Sequence, residues 1–326
     1  MNRPYNSNCS NPPSAVISVS PINLHTPQRK HPLQVRLSAA VHGTALPIIL
    51  FAHGFGSSMD GYAPLVNYWA ARGFAVIQPT FPDSRTFSAN PEADHSEAVK
   101  AYLANPDKMF MWRYRVEDMK HILDQLDDIE DQVPGLKGRL DKNQIAAVGH
   151  SFGAQTTAAL LGTRVITNRG ELTDDLSDAR IKCGILLSAG GLGGDALSEF
   201  GKDHFPHLNQ SYAEMKIPAL VVAGDKDISP LTVKGPEWFT EAYYHSPGAT
   251  DLLLLHGGEH MLGGISGYLV RETTDEDPAR VLIVQRFTTA YLFKMLKEDE
   301  SQWSKALIWL REANVQQARV ISKTDE

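Results

Sequence analysis

The chain has 326 residues, 42% of them hydrophobic, with a formal net charge of −7 and a pI near 5.9. That length and apolar content suffice for one large core, while the acidic balance offers no basic face to nucleic acid. No run of about 18 or more apolar residues occurs, so no membrane span is expected.

Taken in order, residues 1–14 read as a flexible leader: Met1 to Pro13 is rich in Asn, Ser and Pro and lacks the apolar stretch of a signal peptide. Strands are predicted near 15–20, 33–39 and 48–52, the last running into His53-Gly54-Phe55-Gly56. A helix over 61–71 and a strand over 74–78 follow, then a long segment, 84–112, with aromatic and charged residues. A helix over 115–130 leads to a strand over 145–149 and a helix over 153–161. Beyond the strand at 183–187, a second long segment, 190–216, combines glycines with Phe200, His204, Phe205, His207 and Tyr212. Strands at 219–224 and 251–255 alternate with helices at 236–245, 279–297 and 302–313. The alternation predicts an α/β fold with a mostly parallel eight-stranded sheet and helices on both faces. It places one catalytic domain over 15–297 and a C-terminal helix and tail over 298–326. Segments as long as 84–112 and 190–216 are usually functional or disordered, and both are expected to wall a pocket, as a small lid.

Gly149-His150-Ser151-Phe152-Gly153 sits where an apolar strand meets a small-residue helix. A serine in that context stands on a strained turn with its hydroxyl exposed. Its hydroxyl is a poor nucleophile alone, so a histidine base and an orienting carboxylate are expected downstream, in the order acid then histidine. Asp225 and Asp227 follow the strand at 219–224, and His256 and His260 follow the strand at 251–255. Asp227 lies deeper in its loop than Asp225, which adjoins the strand, and His260 lies in a glycine-rich loop while His256 continues the strand. Asp227 and His260 are therefore the expected partners of Ser151. An oxyanion hole should come from backbone N–H groups, assigned to Phe55 and Phe152. His53, Gly54, Phe55, His150 and Phe152 are the expected substrate-pocket residues.

With these parts the sequence resembles the α/β-hydrolases. Within them it is similar to predicted dienelactone hydrolases, chlorophyllase-like and platelet-activating-factor acetylhydrolase-like esterases, near the cutinase-type polyester hydrolases. The residues that carry the resemblance are His53 to Gly56, Arg115-Val116-Glu117-Asp118-Met119, Gly149 to Gly153, Asp178-Ala179-Arg180-Ile181-Lys182, Asp227 and His260. Phe152 stands where chlorophyllases tend to have a basic residue, and Ser151 where dienelactone hydrolases proper use cysteine. The expected function is hydrolysis of short- to medium-chain carboxylic esters through an acyl-enzyme. A polyester hydrolase, or a non-hydrolytic receptor, lyase or acyltransferase on the same fold, is the alternative.

Cys9 and Cys183 form no disulfide framework, which favours a cytoplasmic location. The twelve histidines show no zinc spacing and no glycine-rich phosphate loop is present, so neither metal nor cofactor is expected. The expected partner is a small-molecule or polymeric ester.

Overall fold

Ile48, Leu50 and Ala52 turn to one side of their strand and Ile49 and Phe51 to the other, and all five are buried. A strand apolar on both sides must be covered on both faces. The structure, a computed structural model, describes residues 13–26, 29, 32–88, 90–91, 94–268, 273–312 and 316–323. Cys9 and all but the last two residues of the expected leader lie outside the described residues.

The first third contains β1 (Val16–Leu24), β2 (Leu33–Ala40), β3 (Leu46–Ala52), α1 (Ala63–Ala70), β4 (Ala75–Pro79), α2 (His95–Ala104), α3 (Met111–Asp124) and α4 (Leu126–Gln132). Next come β5 (Leu140–His150), α5 (Phe152–Leu161), β6 (Arg164–Val165), β7 (Ile181–Leu187), α6 (Glu199–His204), β8 (Gln210–Ser211) and β9 (Ala219–Gly224). The chain continues through α7 (Glu241–His245), β10 (Ala249–Leu255), α8 (Pro278–Lys297), α9 (Glu300–Glu312) and β11 (Ala318–Ser322). Among the described residues, nine strands form one sheet in the order β1-β2-β4-β3-β5-β7-β9-β10-β11. The five pairings from β4 through β10 are parallel, and those of β1 with β2, β2 with β4, and β10 with β11 are antiparallel.

The eight expected strands all occur; the ninth, β11, lies within the expected C-terminal tail. Only Ala318 of β11 is buried, so this edge strand lacks the two-sided apolar pattern that marks the central strands. The helix expected over 115–130 breaks at Gln125 into α3 and α4. The two long segments contain α2 and α6, together with 3₁₀ turns.

One face of the sheet packs against Val116, Met119 and Ile122 of α3, Leu126 and Ile129 of α4 and the alanines of α5. The other packs against Leu65 and Trp69 of α1, Phe287 and Tyr291 of α8 and Trp303 of α9. From β3 the chain passes to β4 on one side, and later to β5 on the other. In parallel sheets a crevice opens beyond the carboxyl ends of the strands where the order reverses. Here β3 runs into the 53–56 loop and β5 ends at His150, just before Ser151.

Candidate active site

The turn after β5 is shaped by two absent side chains. A Cβ at Gly149 would lie 2.1 Å from the Gly153 carbonyl oxygen, and one at Gly153 would lie 2.0 Å from that of Ala52. The first turn of α5 is thus pressed backbone to backbone against the ends of β5 and β3. Between the glycines, Ser151 has φ 56° and ψ −119°. A non-glycine residue is rarely found there, and such strain persists only where the surrounding structure enforces it. The hydroxyl stands off the end of the sheet.

The structure brings the three expected side chains together. Ser151 Oγ lies 2.8 Å from His260 Nε2, and His260 Nδ1 lies 3.0 and 3.1 Å from the two carboxylate oxygens of Asp227. Asp227 is fully buried, whereas the His260 side chain keeps a third of its surface exposed. Burial pulls the imidazole pKa down, but the charge and hydrogen bond of Asp227, with Asp275 beyond, outweigh it. His260 therefore sits above the ordinary histidine value. Nδ1 then carries the proton given to Asp227, which leaves Nε2 to accept from the serine hydroxyl. The loop around His260 is tied from below, because Asp275 Oδ2 accepts from the N–H groups of Glu259 and Gly263 and pairs with Arg280. Asp225 and His256, the pair set aside in the sequence, bond instead to each other at 2.9 Å.

Accounting for the amides of the 54–57 loop isolates one donor. The Gly54 N–H donates to Tyr62 Oη, Gly56 to Asp83 Oδ2 and Ser57 to the Gly54 carbonyl. Among the described residues the Phe55 N–H has no acceptor in the protein, and neither does the Phe152 N–H at the start of α5. Both expected donors are thus available.

His53 and His150, expected to line the pocket, are instead buried in the interior. Each is 1% exposed with both ring nitrogens engaged. His53 Nδ1 donates to the Gly54 carbonyl at 2.7 Å while Nε2 accepts from the Phe81 N–H. His150 Nε2 donates to the carbonyl of His260 at 2.7 Å and Nδ1 accepts from Tyr62 Oη at 2.8 Å. Burial chiefly, assisted by Arg115 for His53 and His260 for His150, pushes each pKa down to about 3, so both rings are neutral supports. Not legible in the sequence were Tyr62, which bonds to His150, Asp83, which bonds to the Gly56 N–H, and Asp275, which ties the His260 loop. Arg115 was quoted without a role, although a charge in register with Met119 and Ile122 on an apolar stripe was a usable signal.

The two long segments bring aromatic rings to Phe55 and Phe152. From the first, Tyr102 of α2 meets the Phe55 ring edge-on at 5.3 Å and Trp112 stacks near His207. From the second, Phe205 stacks on Tyr102 at 5.6 Å and His207 on Phe152 at 5.5 Å. Among the described residues, no cluster of three or more His, Cys, Asp or Glu could hold a metal ion. Nor is any helix among them long and apolar enough to cross a membrane.

A family model described as the alpha/beta hydrolase family matches residues 49–311. The chain is 26% identical over 167 residues to a platelet-activating factor acetylhydrolase of Cavia porcellus, covering 44% of this chain and 35% of that protein. It is 22% identical over 323 residues to the protein of the same name from Canis lupus familiaris, covering 87% of this chain and 65% of that protein. The chain thus spans about a third and just under two thirds of the lengths of these curated relatives.

Proposed function

Since the chain belongs to the alpha/beta hydrolase family, we propose that it is a serine carboxylesterase acting on short- to medium-chain esters. The observation that carries this is the unbroken hydrogen-bond line from Ser151 through His260 to buried Asp227. In the proposed reaction His260 Nε2 takes the Ser151 proton as Oγ attacks the ester carbonyl, and Asp227 stabilises the imidazolium. The developing oxyanion is held by the Phe55 and Phe152 N–H groups, each worth about 3 kcal/mol in the transition state. Collapse expels the alcohol with the proton from His260, and water activated by the same imidazole clears the acyl group.

The short-chain preference is supported by the walls. Helices α2 and α6 are short, of ten and six residues, and shelter a few methylenes at about 0.8 kcal/mol each without covering a long chain. The relatives are by name acetylhydrolases, which agrees with the short end of that range. A fluorophosphonate probe should label Ser151, and p-nitrophenyl butyrate should be cleaved well above the palmitate ester, with no jump in rate at the solubility limit. An adduct at another residue sinks the nucleophile, and a rate jump sinks the substrate range.

A further inference from the structure

The guanidinium of Arg115 is fully buried, as is the carboxylate of Asp83 that it grips. Nε lies 2.7 Å from Oδ1 and Nη2 lies 3.0 Å from Oδ2, a two-pronged contact. Burial alone would raise the Asp83 carboxyl, but the charge and hydrogen bonds of Arg115 hold it below the usual carboxylate range. A desolvated ion pair is weak evidence for stability as such, so what it touches is the informative part. Arg115 Nη1 donates to the His53 carbonyl at 2.9 Å, and Nη2 approaches the Gly54 carbonyl at 3.4 Å. Asp83 Oδ2 accepts from the Gly56 N–H at 3.3 Å. The pair therefore holds the loop on both sides of Phe55. Its guanidinium carbon also lies over two rings, 4.3 Å from the centre of Phe81 and 4.2 Å from that of Phe152.

A trans peptide points its C=O and N–H in opposite directions. The Gly54 carbonyl is drawn inward by Arg115 and by the Nδ1–H of neutral His53, so the N–H across the same peptide, that of Phe55, is turned outward. A positive charge beside the carbonyl oxygen also polarises the amide and strengthens its N–H as a donor. We infer that Arg115, braced by Asp83, is a positioning residue for both halves of the oxyanion hole: it orients and polarises the Gly54–Phe55 peptide and seats Phe152 beside it. This rests on the esterase reading above.

The test starts from wild-type protein. If that protein neither reacts with a fluorophosphonate at Ser151 nor cleaves p-nitrophenyl butyrate, the esterase reading fails before Arg115 is probed. Given activity, two variants are compared per serine titrated by the probe: Arg115→Lys, which keeps the charge but loses the fork, and Asp83→Asn with Arg115→Gln, which leaves no charge unpaired. The expected result is a fall in kcat of about ten- to a hundredfold with KM changed less than about twofold. A trifluoromethyl ketone, which forms an oxyanion on the serine, should lose affinity by the same factor. The acyl-enzyme carbonyl stretch should shift to higher frequency as its hydrogen bonds weaken. A merely structural pair would lower the melting temperature and the fraction of titratable serine, but not kcat per titrated serine. Wild-type kcat per titrated serine in either variant, or a loss confined to KM, overturns the inference.

Discussion

Two aspartate–histidine pairs stand at the same end of the sheet, Asp225 with His256 and Asp227 with His260, each joining the turn after β9 to the turn after β10. Their Nδ1-to-carboxylate distances are almost equal, 2.9 and 3.0 Å. What separates them is what lies at the far side of each group. The second oxygen of Asp225 accepts from the Gly257 N–H and closes the turn, and both side chains of that pair remain a third or more exposed. Asp227 is sealed from solvent, and the remaining nitrogen of His260 reaches Ser151. A carboxylate and an imidazole at bonding distance are thus not enough to bring the ring to a serine hydroxyl. Two to four further residues of loop decide whether the ring arrives over the elbow or stays on the strand.

The largest effect that divides the pairs is expected in turnover. Asp227→Asn should lower kcat by about 10⁴, since the imidazole would no longer be held in the tautomer that accepts from serine. Asp225→Asn should leave kcat within about threefold. Assays with p-nitrophenyl butyrate check both, and an equal loss would erase the distinction between the pairs.

A smaller effect concerns pH. On the proposed reading His260 acts as base when neutral, and Asp227 holds it above the ordinary value of 6.5, so kcat/KM should rise with pH along a limb centred above 6.5. Replacing Asp227 by Asn removes the anion that favours the imidazolium, and the residual activity should show that limb at lower pH. Replacing Asp225 should leave it in place. A limb that follows Asp225 instead would exchange the roles of the pairs.

The smallest effect is on stability. The Asp225–His256 contact is exposed, so His256→Ala should cost at most about 1 kcal/mol in urea unfolding. A cost of several kcal/mol would mean that this pair is a pillar of the fold and not a surface tie.

The sheet and the candidate site were legible to different depths. Strands such as 219–224 and 251–255 announce themselves because burial on both faces demands unbroken apolar runs, and the elbow is legible because its glycines sit at a fixed strand-to-helix junction. Helices α2 and α6 were not, since α2 buries only Ala98 and Tyr102 and α6 only Gly201, too few for a periodic stripe. Asp83 was invisible for another reason. It sits in a Pro-Asp-Ser turn, where aspartate is ordinary, and its partner Arg115 is 32 residues away. Tyr62 and His150 are 88 residues apart, and a single sequence carries no trace of such a meeting. Support beneath a site is written in pairings, which only the fold displays.

The backbone contact between α5 and the end of β3 has a consequence for how this chain can vary. On the proposed reading two of the working groups are amide hydrogens, which every residue but proline possesses. Phe55 can then exchange its ring and so retune which esters enter, while the charge-stabilising function passes on intact. Gly149 and Gly153 have no such latitude, because the space for even one methyl group is occupied by a carbonyl. A saturation library should accordingly show Phe55 tolerant of nearly everything but proline beside two positions that accept only glycine. Divergence in substrate preference is thereby uncoupled from loss of chemistry.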